Sequence, residues 1–555
     1  MRKLETLKAE KKKKKILGKD IAEELGITKP YYSQIENGQL LNFIDVDTVS
    51  KDELLKPFLG VNADNRLKNI VSTIQSEQNK IIRQDLKYNS IIQGVAGSGK
   101  TTVALHRIAY LVYNNRDIYD SNQYMVIGPN KFFGEYISSV LPDLDVNGVS
   151  QYDLIDFAQT FLKEKLDVEN FVDILNNNKN EEKNAFAYYI TSMDFKKEID
   201  IYLKKYYDNL IPNEHLYFKD FKILDVDVIK DTYLSINDKF HKTLESKIDK
   251  TIAILSKKIE EKADVILEKI LSQSLSKNYT KTIQNKIIRD REQLKKELNV
   301  SGSNILKLYF KKLIKTPIQI YLEILKKNEY LKMNNFDYDE KQKEIRNKKI
   351  SKEDLTPLMY IKYRLYGAEE FSKYRHVVID EAQDYNTFTF YVLKNIMYNS
   401  TFSIYGDLAQ SLYSYKSIQT WEEIIDSVFN GECEILYLNK SYRTTIEIMN
   451  EANKINELLG YSIAIPVIRH GKEVQYVSSK ENNLYNTILE IINNSLNKNY
   501  KSIAVICKNQ PIVEEVRNNL SKIIDFDKTN ENNQNSINSI CCISSYLSKG
   551  LEFDL

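Results

Sequence analysis

A chain of 555 residues is too long for one hydrophobic core and implies roughly three or four domains. Lys and Arg total 79 against 77 Asp and Glu, a formal charge of +2, which excludes a globally basic protein and leaves any nucleic-acid contact to local patches. Four cysteines at 433, 507, 541 and 542 form no C-x-x-C pair, the start MRKLETLKAEKKKKK lacks the apolar core of a secretion signal, and no apolar run approaches a membrane span. These features argue against a disulfide framework, a zinc site or membrane insertion, and for a reducing, cytoplasmic setting.

The first 48 residues contain GKDIAEELGITKPYYSQIENGQ, which reads as an amphipathic helix through Leu25, a turn at Gly26 and a second helix from about Thr28 to Asn37. Ile21, Leu25, Ile27 and Ile35 would pack the pair. The segment resembles the helix-turn-helix of Cro/C1-type regulators. That resemblance puts Lys29, Tyr31, Tyr32, Ser33 and Gln34 toward the groove-facing start of a recognition helix, with the preceding lysines on phosphates, and implies a DNA-binding module over residues 1–48. The two further helices usual in such domains are missing, so a remnant or docking helix pair is the alternative. The Lys11 to Lys15 block equally suits a solvated face.

Residues 49–154 carry IIQGVAGSGKT. Apolar Ile91 and Ile92 end a strand, Gly94 through Gly99 turn, and Lys100 and Thr101 open a helix, the pattern of a phosphate-binding loop. Glycines let backbone N–H groups converge on an anion and the helix N-terminus adds positive potential. Lys100 reaches the terminal phosphates and Thr101 ligates Mg²⁺. Alone, the loop could also be a chance match or mark any P-loop kinase or GTPase; the expected nucleotide-contacting stretch, for ATP, is Gly94, Val95, Ala96, Gly97, Ser98, Gly99, Lys100, Thr101 and Thr102.

Between 155 and 355 strand signals are sparse. Leu244, Ile248, Ile252, Leu255, Ile259, Ala263, Ile266 and Ile270 recur at steps of three and four, with Lys, Glu and Asp on the opposite face. A projecting helical arm and an ordinary helical bundle both satisfy this pattern.

Residues 356–435 contain RHVVIDEAQD, in which the apolar strand Val377 to Ile379 delivers Asp380 and Glu381 to its carboxyl end. Asp380 suits the Mg²⁺ shell and Glu381 suits general-base activation of water. An acidic turn alone is common; with the upstream loop it completes a nucleotide hydrolysis site. Residues 436–555 again alternate strands and helices, and TNENNQNSINS at 529–539 reads as a surface loop before the apolar strand SICCISS.

Together these motifs resemble the UvrD/Rep-like superfamily 1 helicases over roughly residues 50 to 555. The expected fold is therefore α/β, with RecA-like P-loop motor domains (a parallel sheet flanked by helices), a long inserted all-helical arm and a short N-terminal helix-turn-helix. The resemblance assigns Gln78 in IQSEQNKIIR to the adenine edge and Gln410 in YGDLAQSLYSYKS to the γ-phosphate, with Tyr413 and Tyr415 facing a nucleic-acid strand. Tyr442 in LNKSYRTT would stack on adenine, Arg443 would act as an arginine finger, and Glu552 in SSYLSKGLEFDL would join the ATP site. Tyr546 stands where the family has a histidine, which places coupling through that position in doubt.

Within the family, ELLKPFLGVNADNRLKNIVSTIQSEQNKIIR and GVAGSGKTTVALHRIAYLVYNN are most similar to the HelD-type RNA polymerase recycling motors. That implies ATP and Mg²⁺ as cofactors, core RNA polymerase and DNA as partners, and the insertion as the polymerase-contacting arm. A conventional 3′–5′ DNA translocase and a non-catalytic DNA- or polymerase-binding protein are the alternatives. The last is kept open because the family's final arginine motif and the rest of the second motor domain would lie beyond Leu555.

Overall fold

This computed structural model describes residues 76–555 except 130–140, 142–145, 169–180, 211, 219–220, 237–242, 276–280, 335, 412–416, 468, 522, 525, 527–539, 546–547 and 549–552, together with the backbone alone for some helical positions, most of them between 262 and 301. The chain divides into two units, Met1–Gln75 and Ser76–Leu555, and the second is described here.

Six short strands build the centre: β1 (Ser90–Gly94), β2 (Tyr124–Gly128), β3 (Ser150–Asp153), β4 (His376–Ile379), β5 (Thr401–Gly406) and β6 (Glu434–Leu438). They form one sheet in the order β6-β1-β5-β4-β2-β3, and every neighbouring pair is parallel. Strands buried on both faces need apolar residues at consecutive positions rather than in alternation, as in Ile91 and Ile92 of β1, residues 124–127 of β2 and residues 377–379 of β4. The fold is α/β, with helices covering both faces.

The two faces bury different partners. Ile92, Val126, Val378, Tyr405 and Leu436 pack against helix α1 (Lys100–Asn114) through Val103, Ala104, Ile108 and Leu111. On the other face, Ile91, Met125, Ile127, Val377, Ile379 and Ile404 share a core with Phe157, Phe195, Leu255 and Leu358 from the inserted region. Arg107 is fully buried beneath the first face. Its guanidinium donates to Ser403 Oγ (2.8 Å) and to the carbonyls of Ile81 (2.8 Å) and Gln84 (2.9 Å), stapling the helical segment 76–82 and its exit onto α1. His376, also fully buried, shares a hydrogen bond between Nδ1 and Thr401 Oγ1 at 2.9 Å.

The insertion is built mainly of helices. Its longest elements are α2 (Leu244–Leu275, 32 residues) and α3 (Lys281–Leu313, 33 residues). They run antiparallel: Gly302 lies against Ile259, and Lys295 pairs with Asp264 at 2.9 Å. Leu244, Ile248, Ile252, Leu255, Ile259 and Ala263 are buried as their spacing requires, and Leu267 takes the next inward position; the side chains of Ile266 and Ile270 lie outside the described set. At the root, Lys258 Nζ donates to Thr232 Oγ1 (3.0 Å), and the hairpin packs on α4 (Leu355–Tyr366) and so joins the sheet core. The hairpin is therefore continuous with the hydrophobic core beneath the strands.

The boundary expected at 435 falls inside β6, because Glu434–Leu438 completes the sheet edge beside β1. Beyond it, Lys440–Ser441 pairs with Ile465–Pro466, and Ile503–Cys507 pairs in parallel with Ile540–Ser544 under the helices Leu484–Leu496 and Gln510–Leu520. No helix among the described residues is long and apolar enough to cross a membrane.

Two outcomes test this architecture. Leu255→Ala, which truncates a fully buried side chain at the junction of hairpin and sheet, lowers unfolding free energy by about 2–5 kcal/mol in urea titrations, whereas Val265→Ala on the hairpin's solvent face changes it by less than about 0.5 kcal/mol. Burial, and then the Arg107 charge, hold the His376 imidazole well below the usual histidine range. The unfolded chain takes up that proton near pH ~6.5 and the folded chain only at lower pH, so this contribution to stability is full above that value and is lost as pH falls below it. The urea midpoint of His376→Asn falls less steeply than that of the wild type between about pH 7.5 and pH 5.5.

Candidate functional site

All six parallel strands stop at one edge of the sheet, and the loops after β1, β4, β5 and β6 meet there. The first is the turn between β1 and α1. Gly97 and Gly99 hold φ of 72° and 81°, left-handed values that suit glycine, and a Cβ on Gly94 would stand 2.5 Å from Lys100 Cγ. Lys100 is buried under the loop, with Nζ donating to the carbonyls of Gly94 (2.8 Å) and Val95 (3.4 Å). The amides of Val95 and Ser98 are engaged by Leu438 O and Val95 O at 3.0 and 3.2 Å. Those two residues shape the loop, and the first-turn amides of α1, which have no partner within the helix, are the donors the loop leaves over. Ala96 and Thr102 are exposed along this turn.

The second loop carries the acids. Asp380 N–H still donates to Ile127 O (3.0 Å), so the strand ladder fixes its position, and its carboxylate accepts from Thr101 Oγ1 at 2.7 Å. This hydrogen bond joins two motifs 279 positions apart. Glu381 follows at φ 50° and ψ 39°, a left-handed conformation unfavourable for a residue with a side chain, and its N–H donates to Asp380 Oδ1 at 2.9 Å. Burial, and then the neighbouring Glu381 charge, push the Asp380 carboxyl up to about 6, against the opposing hydrogen bond from Thr101 and the charge of Lys100.

The third loop follows β5. Gln410 Nε2 donates to Asp407 Oδ2 at 2.6 Å, and Asp407, nearly inaccessible to solvent, also accepts from Gln93 Nε2 at 2.8 Å. Gln383 bridges from the second loop, donating to Glu381 Oε2 (2.6 Å) while its Oε1 accepts from Asp407 N–H (3.0 Å). The fourth loop follows β6. Tyr442 N–H donates to Gly97 O at 3.3 Å, a Cβ on Gly97 would meet Ser441 Oγ at 2.7 Å and Arg443 Cβ at 3.1 Å, and a Cβ on Gly99 would collide with the Tyr442 hydroxyl. Gln78 arrives from the Arg107-stapled segment, its Nε2 donating to Ser98 O at 3.2 Å and lying beside Gly99.

The expected residues Gln78, Gly94 to Thr102, Asp380, Glu381, Gln410, Tyr442 and Arg443 thus lie on the loops that converge at this sheet edge. Lys29, Tyr31, Tyr32, Ser33, Gln34, Tyr413, Tyr415 and Glu552 lie outside the described residues. Sequence reasoning missed Gln93, Gln383, Asp407, Trp421 and Ser441. Polar residues in or just after strands were the available signal: Gln93 interrupts an apolar strand, and Asp407 follows one directly. Two hydroxyls against the loop, Ser98 Oγ and Ser441 Oγ, are buried with no hydrogen-bond partner among the described residues. No protein-family model matches the chain, and neither does any curated protein sequence.

The acid pair gives a direct test. Removing the adjacent charge in Glu381→Gln brings the Asp380 carboxyl down from about 6 toward the ordinary aspartate range, followed by carboxyl ¹³C chemical shift across a pH titration; an unchanged midpoint refutes the attribution to Glu381.

Proposed function

We propose that this protein is an MgATP-hydrolysing motor of the RecA-like, UvrD/Rep type, whose inserted hairpin transmits nucleotide-driven movement to core RNA polymerase engaged with DNA. The observation that carries the reading is the Thr101–Asp380 hydrogen bond, which brings a phosphate-loop hydroxyl and a buried acid to the same point at the end of the sheet.

The residues fit MgATP. The buried, unpartnered hydroxyls of Ser98 and Ser441 flank the loop, and the raised Asp380 carboxyl is a buried acid beside a second acid, which a divalent cation would offset. Thr101 and Asp380 are the residues to hold Mg²⁺, which when bound neutralises charge on the phosphates. Lys100 exchanges its contacts with loop carbonyls for phosphate oxygens, adding a charge-assisted bond where the first-turn amides of α1 already favour an anion. Glu381 takes a proton from the attacking water, and its strained backbone turns it away from the sheet ladder that fixes Asp380. Gln410 contacts the terminal phosphate and Arg443 offsets charge developing there. Gln78 and Tyr442 serve the base. Because Tyr442 and Arg443 follow the last strand of the sheet and lie against Gly97 and Gly99, closure of residues 440–555 on the loop would be sensitive to the nucleotide.

For the partner, support comes from the hairpin: two helices of more than 30 residues each, with charged outer faces and a root in the sheet core, make a rigid element able to carry movement away from the site. Hydrolysis measured alone, with single-stranded DNA and with core RNA polymerase tests the whole reading. Expected are turnover that polymerase alters more than DNA does, loss of nucleotide affinity in Lys100→Ala, and a fall of about 100-fold or more in kcat with binding retained in Glu381→Gln. Strong stimulation by single-stranded DNA selects a conventional DNA translocase instead, and absence of turnover in all three conditions refutes the motor.

A further inference from the structure

Asp407 is the most connected acid at the sheet edge, and the expected mechanism has no part for it. It is 3% exposed and sits directly after β5. Oδ1 accepts from Gln93 Nε2 at 2.8 Å and from Ala409 N–H at 3.2 Å; Oδ2 accepts from Gln410 Nε2 at 2.6 Å. Its own N–H donates at 3.0 Å to Gln383 Oε1, and Gln383 Nε2 donates at 2.6 Å to Glu381 Oε2.

A glutamine amide has a donor end and an acceptor end, and its partners alone decide which way round it sits. Here all three orientations are determined. Gln93 gives its NH₂ to the Asp407 carboxylate, while its Oε1 accepts from Trp421 Nε1 at 2.7 Å and from Leu408 N–H at 3.3 Å. Gln383 is set at both ends, by Asp407 N–H and by the Glu381 carboxylate. Gln410 must turn its NH₂ toward a group that only accepts, which leaves Oε1 to accept from a donor such as the attacking water and the second amide hydrogen for a phosphate oxygen.

We propose that Asp407 is a positioning residue for ATP hydrolysis: its carboxylate, held by Gln93 (itself held by Trp421), sets the amide sense of Gln410, while its backbone N–H sets Gln383 and through it the carboxylate of Glu381. This rests on the ATPase reading above. The linkage joins the strand before the phosphate loop, the γ-phosphate contact and the water-activating acid in one directional set of hydrogen bonds. A close packing wall backs it, since a Cβ on Gly406 would come within 2.7 Å of the Trp421 ring and 2.9 Å of Gln383 Oε1.

Asp407→Asn keeps the shape but replaces one acceptor oxygen with a donor, so one of the two glutamines that give it NH₂ groups must turn over. Gln93 is held at its other end by Trp421 and Leu408; Gln410 therefore turns, and presents NH₂ where Oε1 belongs. Trp421 is the only tryptophan in the chain, beside 38 tyrosines, so emission excited at the red edge, where tyrosine does not absorb, reports on this linkage.

The experiment uses the full chain and measures kcat and KM for MgATP, the affinity for a non-hydrolysable ATP analogue, and Trp421 emission with and without that analogue. Expected for Asp407→Asn are analogue affinity within about threefold of wild type, kcat lower by about 10- to 100-fold, and loss of the analogue-induced change in Trp421 emission that the wild type shows. Gln93→Glu keeps the acceptor for Trp421 while setting a second carboxylate against Asp407. It lowers kcat in the same way and decides the matter if Asp407→Asn does not fold by circular dichroism. Wild-type kcat in the folded variants overturns the positioning role and leaves the ATPase reading standing, and so does a loss of affinity equal to the loss of kcat, which marks a merely structural residue. A wild-type protein that neither binds the analogue nor turns over ATP overturns the ATPase reading, and this inference falls with it.

Discussion

Parallel pairing in register is the constraint from which the rest of the molecule follows. With β1 held between β6 and β5, and β4 between β5 and β2, four chain segments end side by side, and the residues after each strand are forced into one small volume. Gln93 and Asp407 are 314 positions apart in sequence and 2.8 Å apart in space for that reason. A one-residue slip of β5 against β1 would send Ile404 to the α1 face, turn Tyr405 toward the insertion and separate Asp407 from Gln93. Register therefore protects core packing and site geometry together.

The price of this convergence is buried polarity, and the protein meets it by direct hydrogen bonding. Asp380, Asp407, Gln93, Gln383 and Lys100 are all nearly inaccessible to solvent, and each has a protein partner at hydrogen-bond distance. Arg107 and His376 sit in the layer below. Arg107 reaches the carbonyls that end the Gln78 segment, so a core residue governs where the expected base-reading amide stands. Networks of this kind are costly when half satisfied and rigid when complete, which is what the proposed hydrolysis of ATP would need.

Much of this was legible in the chain because it is local. The glycines of the phosphate loop, the acids at the end of Val377 to Ile379, and the three-and-four spacing of Leu244 to Ala263 each follow from a few consecutive residues and the geometry they permit. What was not legible depends on neighbours distant in sequence. Nothing near Gln93 predicts Trp421 as its partner, and nothing near Asp407 predicts three glutamine amides around it. The choice between arm and bundle was likewise undecidable from periodicity, since that spacing buries the same face against a partner helix or a larger core; here Leu255 belongs to the core that also holds the strand residues. The edge of the first sheet was misjudged at 435 because a strand of alternating exposure, Glu434–Leu438, gives no sign in itself that it pairs with β1.

The hairpin gains a mechanical meaning from where it is rooted. At 1.5 Å per residue, the 32 residues of Leu244–Leu275 form a rod about 48 Å long, so each degree of tilt about its base sweeps the far end through about 0.8 Å. Its base shares one close-packed core with Ile91 and Ile379, the strand residues just ahead of the phosphate loop and the acid pair. Close-packed interiors transmit displacement because they have little free volume to absorb it. If the proposed nucleotide site shifts the strand ends, a rod rooted in this core would turn sub-ångström adjustments there into travel on the scale of a side chain at Leu275.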